Sequence, residues 1–365
     1  MRLPLRTTLV AAAALAAGCA SAPPPRPQVV WPDPPEVARI RFVTAFRSSE
    51  DLDHSGWNSF KRGLLGGGTA DTGVSHPMGL ALSDDGQRLY IADLRGSQVL
   101  LADFQKKTVE RFAPGESFPL PFNVALDADE NVYVADSAAK TVMVFTRQGQ
   151  RLRIFGPKEG LERPTGLAID RQRKIIYVSD TSHSDSGNHR VFAYTLEGRV
   201  VREVGRGRGS EDGAFNFPSY LALDGAGNLY VNDSMNFRVQ VFDPDGKFVK
   251  AYGKHGDSPG SFGRMKGLAF DGFDNLYVAD GEHAVVQIFN KTFDPLMYFG
   301  GNRPDLLEYF DIPSGIAIDK KTNRIYVGNQ LNARINVYEL INTKPEDSRA
   351  DVAGAAPAAP VASGK

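Results

Sequence analysis

One short segment of the chain concentrates side chains that could carry chemistry. Residues 227–243, "GNLYVNDSMNFRVQVFD", place Asp233, Asn236 and Arg238 between two apolar runs. A carboxylate, an amide and a guanidinium held together by strands could form a ligand-binding or catalytic site. They could also belong to the scaffold, because an Asp side chain at the end of a strand accepts backbone N–H hydrogen bonds and fixes a turn.

Repetition of this segment favours the structural role. Related phrases such as "QRLYIADLRGSQVLLAD" at 87 and "DNLYVADGEHAVVQIFN" at 274 make six copies, spaced by 43 to 53 residues. A period near 45 residues indicates a repeat architecture. The shared acidic position is occupied in order by Asp93, Asp136, Asp180, Asp233, Asp280 and then Asn329. A residue present in nearly every copy is not a unique catalytic acid, so function is expected where one copy departs from the others.

Each repeat has the pattern of four short strands. Runs rich in Val, Leu, Ile, Tyr and Phe are separated by Asp, Gly and Asn turns, and residues 229–231 are apolar on both faces, as in a sheet packed between two others. Four-stranded antiparallel units of this length, arranged radially, predict an all-β, six-bladed β-propeller over 37–341. The last repeat lacks a fourth strand, so we expect the N-terminal strand within 38–48 to complete that blade and close the ring.

The phrases "YVADS", "N-x-R-V-x-V-F" and "P-x-G-L-A-x-D" resemble those of the NHL-repeat family over about 75–340. The resemblance implies a six-bladed propeller but no single activity, because one scaffold carries many functions. The repeats also look similar to the lyase half of peptide-amidating enzymes, in which a zinc-binding His follows the Pro in three blades. Here the equivalent residues are Met78, Phe122, Thr165, Ser219, Lys266 and Ser314. Their types make that zinc chemistry improbable.

One departure is a longer loop in the third repeat. It carries His183, Asp185 and His189 just before Arg190, in the phrase "SHSDSGNHR". Two imidazoles and a carboxylate could bind Ca²⁺, Zn²⁺ or an anion, or the loop could simply be solvated. His76, His255 and His283 are expected in loops of the same face of the propeller.

A second departure lies where the first strand of each repeat begins, at the mouth of the central channel. Most repeats have Gly at one position here, but two have Asn123 and Tyr220. Together with Thr165, Ser219 and Lys266, these side chains predict a small polar pocket, or alternatively ordinary packing that fills the channel.

The N-terminus resembles a bacterial lipoprotein signal. Arg2 and Arg6 precede a short apolar stretch, and small residues lead to Cys19, the only cysteine of the chain. We therefore expect a signal peptide over 1–18, a lipid on Cys19, and a Pro-rich tether over 19–36. By the same resemblance, Ala20 after the cysteine points to the outer membrane of a Gram-negative bacterium. The Ala- and Pro-rich residues 342–365 are expected to be disordered.

Charge and motifs narrow the function classes. The chain has 42 basic and 43 acidic residues, which gives no general attraction to nucleic acid. The leading hypothesis is a monomeric, membrane-anchored binding module that engages an envelope or secreted protein, a peptide or a polysaccharide and needs no cofactor. The alternative is a hydrolase or lyase at the channel mouth, with or without a metal.

Overall fold

The structure is a computed structural model that describes residues 28–53, 72–182, 188–303 and 305–343. The signal peptide predicted over 1–18 and the proposed lipidation site Cys19 lie outside the described residues. So do His183, Asp185 and the part of the predicted tail that follows residue 343.

Strands make up nearly all of the regular structure. The first elements are β1 (Val30–Trp31), β2 (Ile40–Phe46) and the short helix α1 (Ser49–Leu52). Blade 1 contains β3 (Pro77–Leu82), β4 (Arg88–Asp93), β5 (Gln98–Asp103) and β6 (Thr108–Arg111). Blade 2 contains β7 (Pro121–Leu126), β8 (Val132–Asp136), β9 (Thr141–Phe145) and β10 (Arg151–Phe155). Blade 3 contains β11 (Pro164–Asp170), β12 (Ile175–Asp180), β13 (Arg190–Thr195) and β14 (Val200–Val204).

The remaining blades repeat this plan. Blade 4 contains β15 (Pro218–Leu223), β16 (Leu229–Asp233), β17 (Arg238–Phe242) and β18 (Phe248–Tyr252). Blade 5 contains β19 (Met265–Phe270), β20 (Leu276–Asp280), β21 (Val285–Phe289) and β22 (Pro295–Gly300). Blade 6 begins with β23 (Pro313–Asp319), β24 (Arg324–Asn329) and β25 (Arg334–Leu340). Single 3₁₀ turns occupy Pro157–Glu159 and Ser234–Asn236.

The sheets form the predicted closed ring of six antiparallel blades. The first strand of each blade contacts the first strands of both neighbours, including β23 of blade 6 against β3 of blade 1. The N-terminal strand closes the ring as expected, because β2 pairs antiparallel with β25 from Ile40–Leu340 to Phe46–Ile335. One edge of the last blade is therefore supplied by the opposite end of the chain.

The folded body begins earlier than the predicted boundary at residue 37. β1 pairs with β2 and gives blade 6 a fifth strand, so the tether predicted over 19–36 is corrected at its C-terminal end. Trp31 drives this addition, since its indole is only 8% exposed and lies 5.7 to 6.1 Å from the rings of Phe299, Tyr309 and Tyr338. Burying a large aromatic side chain is worth roughly 1.5–3 kcal/mol.

The core lies between adjacent blades. Between blades 1 and 2, for example, Tyr90 and Phe112 pack against Val132 and Phe145. Because each blade is covered on both faces, its second and third strands are almost continuously buried, which explains their apolar runs. Among the described residues, no helix has the length and apolar character needed to cross a bilayer.

Candidate functional site

The acidic group that opened the sequence analysis belongs to the scaffold. Asp233 is completely buried, and one carboxylate oxygen accepts a hydrogen bond from the Asn216 backbone N–H at 2.6 Å. The other accepts from Asn236 at 2.8 Å, from Arg238 at 2.9 Å and from Gln240 at 3.0 Å. Burial raises the pKa of Asp233, and these donors act against that rise. With its oxygens fully used, the carboxylate is not free for a ligand.

The sibling residues do the same task in the other blades, where each also fastens the linker from the preceding blade. Asp180 accepts from the backbone N–H of Glu162 and Arg163, and Asp280 accepts from that of Gly263 and Arg264. Asn329 replaces the carboxylate in blade 6 with an amide oxygen that accepts from Asp311 at 3.1 Å. These residues therefore fix turns, as the sequence predicted, and they also attach the linker from the preceding blade.

The ring of first strands is narrow at the channel mouth, and glycine permits this approach. A Cβ added to Gly315 would lie 2.2 Å from the Met78 carbonyl oxygen, and one added to Gly267 would lie 2.4 Å from that of Ser314. Such contacts are shorter than any side chain tolerates. The glycine pattern of the sequence thus reports strand spacing, and only Asn123 and Tyr220 place a side chain at this level.

Asn123 and Tyr220 form the floor of the mouth. Asn123 is 6% exposed, and its Oδ1 accepts a hydrogen bond from the Val124 N–H at 2.8 Å. Tyr220 is 3% exposed, and its ring centroid lies 5.6 Å from that of Phe122. Asn123 and Tyr220 line, with the other first strands, a cavity of about 300 Å³ that also reaches Arg171 and Lys320, which follow the first strands of blades 3 and 6.

The Tyr220 hydroxyl stands out because it is buried without a hydrogen-bond partner among the described residues. Burial also raises the pKa of this phenol well above its usual 10. Buried polar groups in folded proteins normally have a partner. The hydroxyl therefore stays protonated and keeps an unused donor within the channel.

Hydroxyl groups around the mouth join the strands to one another. The Ser314 hydroxyl donates to the Pro77 carbonyl of the next blade at 2.7 Å. Thr165 Oγ1 lies 3.0 Å from Ser179 Oγ, and Ser219 Oγ lies 2.7 Å from Ser234 Oγ. Thr165 and Ser219, both predicted to contact a ligand, thus already have hydrogen-bond partners within the protein.

Lys266 differs from every other member of the ring. It is half-buried, and its ammonium has no hydrogen bond or ion pair with any residue that the structure describes. Burial lowers the pKa of this ammonium below its usual 10.5, and the Arg264 guanidinium lowers it further. A half-buried cation beside another cation is electrostatically unfavourable, and an incoming anion would relieve that situation.

His76 is the functional candidate that the sequence did not connect with this site. Its Nδ1 is buried without a partner within the described part of the chain. Burial lowers the pKa of His76, Arg95 and Lys266 lower it further, and Asp93 opposes them. The effect of Lys266 shows that a residue preceding blade 1 and a residue of blade 5 share one electrostatic environment, although 190 positions separate them in sequence.

The end of the blade 3 loop is packed into the fold. His189 is fully buried, accepts a hydrogen bond from the Phe217 N–H at Nδ1 over 3.1 Å, and lies 4.5 Å from the Phe217 ring. Arg190 donates to the Gly160 carbonyl at 3.1 Å and lies 4.4 Å from the centre of the Phe192 ring. These contacts tie His189 to the linker before blade 4 and Arg190 to the linker before blade 3. His183 and Asp185 are not described.

No three His, Cys, Asp or Glu side chains within the described ranges are grouped closely enough to hold a metal ion. Of the histidines on this face, His283 is instead tied to carboxylates. Its Nδ1 lies 2.7 Å from Asp280 and its Nε2 lies 3.1 Å from Asp257. Burial alone would lower the pKa of His283, but the two carboxylates raise it.

Comparison with known sequences gives a local match. No family model matches the chain. The RING finger protein nhl-1 of Caenorhabditis elegans is 37% identical over 71 residues. That match covers 20% of this chain and only 7% of the relative, so this chain spans a small part of its length.

Solved structures match over most of the chain. A gluconolactonase from Xanthomonas campestris superposes with a TM-score of 0.59 at 15% identity, covering 82% of this chain and 98% of that one. A catalytically inactive virginiamycin B lyase from Staphylococcus aureus, solved with quinupristin, gives a TM-score of 0.54 at 15% identity, covering 73% and 96%. At such identities the likeness shows the fold. The chain is an all-β, six-bladed propeller with sequence similarity to an NHL-repeat protein.

Proposed function

We propose that the protein is a membrane-anchored binding module that engages a protein or peptide at the channel mouth, the site formed by Lys266, His76 and Phe122 above the Tyr220–Asn123 floor. One observation carries the proposal. The repeated polar residues of this face are saturated by internal hydrogen bonds, whereas the Lys266 ammonium has no acidic partner among the described residues.

The location of the module is part of the same proposal. A lipid on Cys19 would hold the propeller at the outer membrane, and residues 20–29 would remain as the tether outside blade 6. A short tether raises the effective concentration of the module near membrane-bound partners. The partner is therefore an envelope or secreted protein, and the propeller acts as a monomer without nucleic acid.

A hydrolase or lyase at the same mouth is the second candidate. It is favoured by the lowered pKa of Lys266, since an amine with a depressed pKa is a better nucleophile or base at neutral pH. Two of the proteins that share the fold are named as a gluconolactonase and a lyase. A metal at His183 and Asp185 would be an additional requirement of one form of this candidate.

Site-specific photo-crosslinking tests the binding module. The full-length chain carries benzoylphenylalanine either at Phe122, in the mouth, or at Phe273, which is 50% exposed in a turn between the first two strands of blade 5. Irradiation of intact cells is expected to give a discrete protein adduct from position 122 and none from position 273. Equal adducts from both positions, or none from position 122, would count against the module.

Turnover assays separate the two candidates. Purified full-length protein is incubated with esters, lactones and peptidyl-hydroxyglycines, and its metal content is measured without chelators. The binding module predicts no turnover above the uncatalysed rate. Substrate conversion that is lost in Lys266→Met, or stoichiometric Zn²⁺ or Ca²⁺ that is lost in His183→Ala, would favour the enzyme.

A further inference from the structure

The charge of the channel mouth points to the chemistry of its ligand. Lys266 lies in β19, one residue before Gly267 of the channel wall, and Arg264 immediately precedes that strand. Arg264 lowers the pKa of Lys266, and Lys266 and Arg95 lower that of His76. Among the residues that the structure describes, Asp93 is the one carboxylate that raises the pKa of His76, and no carboxylate raises that of Lys266. The mouth therefore has an excess of positive charge.

Asp93 cannot neutralise that charge by moving toward it. The carboxylate is completely buried and accepts hydrogen bonds from the Ser75 N–H at 3.1 Å, the Ser75 hydroxyl at 2.8 Å and the His76 N–H at 2.6 Å. Gln98 adds a further donor at 3.0 Å. Withdrawing such a carboxylate would leave several buried donors unpaired, which is energetically unfavourable.

The shape of the mouth limits how a ligand can enter. Asn123 and Tyr220 narrow the channel one residue further along the first strands than Lys266, because their side chains occupy positions where four of the six strands have glycine. The Phe122 ring contacts Tyr220 and supplies an apolar wall. A mouth that narrows in this way admits the end of a chain or a protruding side chain, whereas an extended polymer would need an open groove.

Building on the proposed function, we infer that the channel mouth recognises a carboxylate of a peptide, with Lys266 as its counter-ion. An ion pair to a partly desolvated ammonium is a strong, charge-assisted interaction. Phe122 would contact the apolar part of the last ligand residue. The carboxylate could belong to the peptide C-terminus or to an Asp or Glu side chain, since both present the same group.

Four random peptide pools of equal length separate these sources. They have either a free C-terminal carboxylate or a C-terminal amide, and each form is made with and without Asp and Glu. Binding to full-length protein is followed by fluorescence anisotropy at low salt. We expect pools with a carboxylate to bind at least roughly tenfold more tightly than the amidated pool that lacks Asp and Glu.

Three variants test the role of Lys266. Lys266→Met is expected to abolish the preference for carboxylate, and Lys266→Arg to keep most of it. Lys320→Met removes an exposed cation that follows the first strand of blade 6 and is the matched control, with unchanged binding. Urea unfolding of each variant confirms that it is folded. If free-acid peptides alone bind, the C-terminus is the source; if amidated Asp- and Glu-containing peptides bind equally, the side chain is.

The inference fails if peptides without a carboxylate bind as tightly, if Lys266→Met retains the preference, or if inorganic phosphate or oligogalacturonate binds where no peptide does. Its failure is distinguishable from failure of the binding module. Crosslinks from position 122 without binding of any peptide pool would support the binding module and contradict recognition of a carboxylate. Loss of both crosslinks and peptide binding would remove the module as well.

Discussion

Asp233 and Lys266 are both charged, lie near the same face of the propeller and begin or end neighbouring strands, yet their surroundings are opposite. The Asp233 carboxylate accepts four hydrogen bonds, and the one from Arg238 is also an ion pair. The Lys266 ammonium has no such partner in the described part of the chain and sits beside another cation. The charge that recurs in five of the six blades is saturated by the scaffold, whereas the charge that occurs in one blade has no acidic partner among the described residues.

The largest loss of stability is expected from replacing Asp233, the charge whose hydrogen bonds are all made within the scaffold. Asp233→Ala removes the buried acceptor that the Asn216 N–H, Asn236 and Arg238 share. Loss of one member of a buried charged network costs about 3–5 kcal/mol, so the urea midpoint should fall sharply. Asp245→Ala, a substitution of an exposed turn residue, is the control and should change stability by less than about 0.5 kcal/mol. Equal effects of the two would contradict the structural assignment.

A second large effect tests where the scaffold begins. Trp31→Ala removes the indole that packs against Phe299, Tyr309 and Tyr338 and is expected to cost about 3 kcal/mol, measured by urea unfolding. Phe273→Ala removes a ring that is 50% exposed and is the reference, with little change expected. An unchanged midpoint in Trp31→Ala would mean that residues 28–36 act as a tether after all.

Replacing Lys266, the charge without an acidic partner among the described residues, should not lower the stability of the fold. Lys266→Met removes a half-buried cation that has no acidic partner, so stability at pH 7 is expected to stay the same or to rise by about 1 kcal/mol. The pKa of Lys266 is lowered in the folded state, so the unfolded chain binds the extra proton between that lowered pKa and 10.5. The wild type should therefore gain stability relative to Lys266→Met as pH rises through this window. Destabilisation by Lys266→Met would reveal a partner and contradict the comparison.

The smallest predicted effect on stability concerns His283, whose imidazole is paired with two carboxylates of the scaffold. Burial lowers the pKa of His283, but Asp280 and Asp257 raise it by more, so the net pKa is higher than usual. The protonated form of His283 therefore stabilises the fold. That contribution is complete below pH 6.5 and is lost as pH rises through the higher folded pKa. Because the pair with Asp257 is solvent-exposed, the change should stay below about 1 kcal/mol. His283→Gln should lose this pH dependence in urea titrations, whereas a retained dependence would assign it to another group.

The fold could be predicted from the sequence because each repeat has similar residues at equivalent positions. The Asp positions, the glycines and the missing fourth strand of the last repeat together required six blades and closure by an N-terminal strand. β1 was missed because two residues in a Pro-rich stretch give no strand period. Its formation depends on tertiary packing of Trp31, which no local pattern records.

The site was predicted only in part, for a similar reason. Lys266, Tyr220 and Asn123 stood out as departures from their equivalents in other repeats, and the structure brings them to one channel mouth. Thr165 and Ser219 differ from their siblings too, but their hydroxyls contact Ser179 and Ser234, partners that spacing alone does not reveal. The influence of Lys266 on His76 arises only when the ring closes.

The pKa of Lys266 tests the central claim most directly. The lysines of the full-length protein are labelled by reductive ¹³C-methylation, the Lys266 signal is assigned by its absence in Lys266→Arg, and its chemical shift is followed from pH 7 to 11. The account predicts a midpoint below that of the exposed Lys320, moving upward when a carboxylate-bearing peptide is added. An ordinary midpoint near 10.5 that the peptide does not move would contradict it.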